Sequence, residues 1–188
     1  MALTQIKSTI AAPQAVGWVK LANASTTGSP SEIDFDSGID STYTLYAFHV
    51  STWKPTDDDQ ALYMLFEYGD AWGTASYEYH TQYTETSGTG NGGVAGTSAT
   101  KLNVLPVGCG NNTAESESCI VYLDNPSGGT YVKACWWAGM GINTSGKPVP
   151  MQGAGSNTAA TGAITGVRFY PESGTIAAAN ITMYGLQK

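Results

Sequence analysis

Glu32-Ile-Asp-Phe-Asp-Ser-Gly-Ile-Asp-Ser-Thr-Tyr-Thr-Leu-Tyr-Ala-Phe-His-Val, ending at residue 50, is the stretch whose reading decides the fold. It reads as a short strand, a tight turn and a longer strand, with no room for a helix. Ile33 and Phe35 alternate with Asp34 and Asp36, so one face is apolar and the other wet. Ser37-Gly38 supplies the turn, because Gly38 is free to take positive φ. Beyond Thr44, Tyr46, Phe48 and Val50 share one face while Leu45, Ala47 and His49 share the other. Apolar groups on both faces place this strand deep in a two-sheet sandwich, with Tyr46, Phe48 and Val50 as core.

The same grammar continues to the C-terminus. Strands are predicted over 16–22, 33–36, 43–52, 61–68, 76–84, 100–107, 118–124, 131–140, 164–170 and 175–186. Pro55 with Asp57-Asp58-Asp59, Asp70-Ala-Trp-Gly and Asn125-Pro-Ser-Gly-Gly supply turns between them. Glycine-dense residues 85–99 and the Gly-, Asn-, Ala- and Pro-rich residues 141–162 read as long irregular loops. Residues 176–184 alternate like a terminal strand with a bulge near Ala178. No 12-residue window keeps a helical pattern. The expected architecture is therefore all-β: an antiparallel β-sandwich, best read as a jelly roll, with a barrel fitting nearly as well, over residues 15–188. Residues 1–14 read as an N-terminal arm, which is expected to be disordered if free and, if it docks on a neighbouring subunit, to be anchored by the isolated apolar points Leu3, Ile6 and Ile10.

Composition agrees. At 188 residues the chain suits one domain with a real core. Only 12% of residues are charged, and 23 Thr with 16 Ser carry the polarity instead, which favours strands and turns. The net charge of −7, with no cluster of Lys or Arg, lacks the electrostatic footprint of nucleic-acid binding. No apolar run approaches the ~18 residues of a membrane span, and the N-terminus lacks a signal-peptide profile, so neither membrane insertion nor secretion by that route is expected. Cys109, Cys119 and Cys135 form no CxxC and have no adjacent His; they read as small buried thiols, although Cys109 and Cys119 could face each other across a loop.

The search for chemistry is short. His49 lies mid-strand, and His80 shares a strand face with Glu78. Neither belongs to a nucleophile elbow, and the Gly-rich segment at 88–96 has neither a Lys nor a following helix to cradle phosphate. Asp57, Asp58 and Asp59 concentrate hard oxygen ligands, but their spacing matches no calcium loop, and they read as an exposed acidic turn. No catalytic, metal or cofactor-binding residue is assigned, and no enzyme activity is expected. The tryptophans carry more weight. Trp136 and Trp137 are adjacent on one strand and must point to opposite faces, one to the core and one outward. Trp53 and Trp72 sit at strand ends near turns, where exposed rings would stack on sugars or anchor protein contacts and loop-covered ones would form the rims of the core.

Several segments resemble β-sandwich virion proteins of tailed bacteriophages, those that decorate heads, form head fibres or serve as tail modules. They are Ile33-Asp-Phe-Asp-Ser-Gly-Ile-Asp-Ser-Thr-Tyr-Thr-Leu-Tyr, Pro55-Thr-Asp-Asp-Asp-Gln-Ala-Leu-Tyr-Met-Leu-Phe, Asn111-Asn-Thr-Ala-Glu-Ser-Glu-Ser-Cys, Val121-Tyr-Leu-Asp-Asn-Pro-Ser, Val167-Arg-Phe-Tyr-Pro-Glu-Ser-Gly-Thr-Ile and Ile181-Thr-Met-Tyr-Gly-Leu. The resemblance implies a non-enzymatic structural protein of the virion, made in the host cytoplasm, without a cofactor. It implies a homo-oligomer, by analogy a trimer, that decorates or cements the capsid exterior on the major capsid protein. The alternative is a tail-fibre or tail-tip module that binds a receptor or host surface glycan through Trp53, Trp72 and the glycine-rich loops.

Overall fold

The computed structural model describes residues 17–26, 28–85 and 90–186. The strands, in chain order, are β1 (Trp18–Thr26), β2 (Ile33–Phe35), β3 (Leu45–Pro55), β4 (Gln60–Tyr68), β5 (Ala71–Trp72), β6 (Tyr77–Glu85) and β7 (Gly90–Ala99). They continue as β8 (Leu102–Cys109), β9 (Glu117–Asp124), β10 (Ala134–Ile142), β11 (Pro148–Asn157), β12 (Gly166–Pro171) and β13 (Ile176–Leu186). The chain is all-β, a sandwich of two antiparallel sheets. One has eight strands in the order β1-β13-β3-β9-β10-β11-β6-β7; the other runs β2-β12-β4-β5, with β8 also paired to β4. The arm residues Leu3, Ile6 and Ile10 lie outside the described residues.

All ten predicted strands are present. The opening stretch behaves as its alternation dictates: Ile33 and Phe35 are buried, Tyr46, Phe48 and Val50 are fully so, and Gly38 takes a φ of 82°. Phe35 and Phe169 from the smaller sheet meet Phe48 of the larger one edge-on, with ring centroids 5.4 and 5.6 Å away. Such edge-to-face pairs add to the area they bury and tie β2, β3 and β12 into one core. A register shift between Ile176 and Ala178 is the bulge that the C-terminal alternation predicted.

The two glycine-rich segments are a correction. Residues 85–99 and 141–162 are not long loops; they contain β7 and β11. With β6 and β10 these strands extend the large sheet by four beyond β9. Their inward glycines leave room that neighbouring side chains occupy. A Cβ at Gly92 would meet the Tyr83 ring at 2.3 Å and one at Gly96 the Tyr79 ring at 2.4 Å. Both tyrosines are the cross-strand partners of those glycines, so the rings cover backbone that glycine would leave wet. On β11, a Cβ at Gly153 would lie 2.7 Å from the Trp137 indole and 2.6 Å from the His80 carbonyl. Trp137 is buried and the carbonyl is fixed, so neither can yield cheaply. Gly153→Ala is expected to lower stability by about 1 kcal/mol or more, read as a fall in Tm.

The four-strand extension is anchored on the second sheet through β8. Tyr77 and Trp137 point inward beside Leu102, Val104 and Leu105, all buried. The Tyr77 hydroxyl accepts from the Phe66 N–H at 2.8 Å and donates to the Gly73 carbonyl at 3.2 Å. Thr81 Oγ1 donates to the Asn103 carbonyl at 2.8 Å. A tyrosine and a threonine that would otherwise carry unpaired hydroxyls into the core therefore join the two sheets.

Candidate binding face

The outer face of the eight-stranded sheet holds the features that the core does not explain. On β9 and β10, Cys119, Val121, Cys135 and Trp137 point inward, so Ile120, Tyr122, Trp136, Ala138 and Met140 point out. The adjacent tryptophans divide as the alternation requires: Trp137 is 1% exposed and Trp136 is 42% exposed. Tyr122 and Trp136 are cross-strand partners whose rings stack at 5.3 Å and 19°. Trp18, on the edge strand β1 and 44% exposed, leans in until its ring centroid is 6.1 Å from that of Tyr122.

Register explains the hollow beneath these rings. Ala47 pairs with Tyr122 on one side and with Tyr184 on the other. Its methyl leaves a slot between two aromatic side chains whose strands stand about 9.6 Å apart. Trp18, His49 and Ile120 complete the lining of this depression of about 290 Å³. No Asp, Glu, Lys or Arg occurs in residues 45–51, 118–122 or 136–140. Exposed aromatic and aliphatic side chains, clustered on the sheet with Lys20 opposite Tyr184 as the charge at their edge, are the composition of a contact surface.

The sequence-predicted sites fare differently. Trp53, read as a surface ring at a strand end, is fully buried, and this corrects that assignment. The β3–β9 register shifts between Val50 and Trp53, so strict alternation fails and the indole turns into the core. Trp72 is half-buried, and the Arg168 guanidinium covers its ring, with Cζ 4.4 Å from the centroid. Arg168 is held there by two short bonds to Asp34, Nε–Oδ1 at 2.7 Å and Nη2–Oδ2 at 2.6 Å. Trp18, Tyr122 and Tyr184 escaped the sequence reading, since nothing in the chain said which side of the sandwich stays uncovered.

Asp57, Asp58 and Asp59 are exposed, and Asp58 accepts from the Asn111 N–H at 3.1 Å. Among the described residues no three His, Cys, Asp or Glu side chains are grouped to hold a metal ion. Cys109, Cys119 and Cys135 are free and buried. Burial pushes all three thiols up, away from the reactive thiolate.

Glu117 was invisible in the sequence. It enters β9 on the inward face and is 1% exposed, and neither carboxyl oxygen has a hydrogen-bond partner. Its cross-strand neighbour Trp53 likewise leaves its indole N–H unbonded. Burial drives this carboxyl well above the usual carboxylate range.

No protein-family model, curated protein or solved structure matches this chain.

Proposed function

We propose that this chain is a non-enzymatic structural protein of a phage virion that decorates or cements the capsid exterior. The observation that carries the reading is the Trp18–Tyr122–Trp136 cluster on the outer sheet face, an apolar contact surface with no charge at its centre. Its occupant in this reading is the major capsid protein, and residues 1–14 strap the shell through Leu3, Ile6 and Ile10. The architecture supports the same role. Strands β1-β13-β3-β9 face β2-β12-β4-β8 in a frame that reads as a jelly roll, and β10, β11, β6 and β7 widen one sheet. The protein acts as a homo-oligomer, taken by analogy as a trimer.

Antibody raised against the chain and imaged on intact particles tests the assignment. Regular labelling of the head is expected; labelling confined to the tail supports instead a tail-tip receptor- or glycan-binding module. Truncation of residues 1–14 is expected to reduce shell occupancy without changing Tm, and unchanged occupancy removes the strap from the account.

A further inference from the structure

We propose that the outer face of the four-strand extension is a binding trough for an uncharged polysaccharide. This trough shares no lining residue with the aromatic depression and goes beyond shell decoration.

The trough belongs to the extension alone. Its lining comes from β6, β7, β10 and β11, and it encloses about 740 Å³. The floor is low because Gly93 and Ala138 face outward there with little or no side chain. Longer polar groups rise around that floor. Gln82 and Gln152 stand opposite one another in the β6–β11 register. Neither amide, nor the imidazole of His80, bonds to another side chain or to backbone among the described residues. Thr84 Oγ1 donates to Asn91 Oδ1 at 2.9 Å, a bond that does not use the Asn91 amide N–H groups.

The chemistry of this lining selects the ligand. No Asp, Glu, Lys or Arg lines the trough, in a protein of net charge −7. An anionic chain finds no cation there, and a cationic chain finds no carboxylate. Side-chain amides donate and accept at once, which matches the hydroxyls of neutral sugars. Pro150 and Ala138 supply the apolar surface on which the C–H face of a pyranose rests.

Shape selects a chain over a single sugar. A second depression of about 460 Å³ shares His80 with the first and is lined by Ala154, Ala95 and the carboxylate of Glu78, so the uncharged site is the first trough alone. A third, of about 350 Å³, shares Ala138 and Gly139 but is lined also by His49 and Ile120 of the aromatic face, and is not counted in the site. The first trough alone, at about 740 Å³, has room for more than one sugar unit.

The test is affinity electrophoresis of the full chain through gels containing dextran, mannan, galactomannan or mixed-linkage β-glucan, with alginate and chondroitin sulfate as acidic controls. Retardation by at least one neutral polymer and by neither acidic one is expected. The double variant Gln82→Ala/Gln152→Ala should weaken that retardation at least tenfold at unchanged Tm, while Tyr122→Ala/Trp136→Ala should migrate as the parent protein does. Four results overturn the proposal: no retardation by any neutral polymer, retardation by an acidic one, an unaffected glutamine variant, or loss in the aromatic variant instead. Sedimentation velocity of the glutamine variant covers the other occupants. Loss of self-association would assign the trough to a second copy, and loss of shell binding would assign it to the shell.

Discussion

Trp53→Ala should cost about 3–5 kcal/mol and leave the protein unfolded or barely folded at 37 °C. The indole is fully buried in the core cluster that also holds Val50, Cys119 and Ile176. Removing it opens a cavity in a core that cannot fully collapse around it. Because the indole N–H has no partner, none of this loss comes from a broken hydrogen bond. Trp136→Ala makes the contrast. Its ring is 42% exposed and packs only along the sheet surface, so a change within about 1 kcal/mol is expected. Denaturant titration of both variants separates the roles: equal losses would contradict the assignment of Trp53 to the core and Trp136 to the surface.

Glu117 carries the second large effect, and its sign is unusual for a carboxyl. Burial raises its folded-state pKa above that of the unfolded chain, where a glutamate titrates near 4.3. The folded state therefore binds the proton more tightly than the unfolded one. The stabilising contribution is complete below the unfolded value and is lost as pH rises from there toward the folded value. Within that window stability falls by up to about 1.4 kcal/mol per pH unit. Glu117→Gln cannot ionise, so the difference between its Tm and that of the parent should widen in its favour from pH 4 to pH 8. Glu117→Met also removes two desolvated oxygens without partners and should gain about 1–3 kcal/mol at neutral pH. Thermal melts across that range decide the matter: a parallel pair of curves would mean that Glu117 finds a partner on folding.

The parts of the fold that were legible are those in which inward side chains announce themselves. Ile33 with Phe35, and Tyr46 with Phe48 and Val50, alternate plainly, and the strands follow. β7 and β11 were illegible because their inward positions include Gly92, Gly96, Gly153 and Gly155, which signal turns. What makes them strands is written elsewhere, in Tyr79, Tyr83, Trp137 and Leu102, whose side chains fill the space the glycines leave. No local pattern connects those residues. Trp53 failed for a related reason: one extra residue between Val50 and Trp53, against β9, reverses its face, and bulges are set by pairing rather than by propensity. Trp136 was legible as one of an opposed pair and its partner Tyr122 lies on the preceding strand, but Trp18 reaches Tyr122 only because β1 joins the sheet through β13 and β3.

Shell decoration through the aromatic face is the central claim, and a titration tests it directly. Purified protein is added to empty capsids lacking it, and occupancy is read by co-sedimentation for the parent and for Tyr122→Ala/Trp136→Ala. The account predicts saturable binding by the parent and an apparent affinity at least about tenfold weaker for the double variant, with Tm unchanged. Equal occupancy by the two proteins, or no binding by the parent, would contradict it.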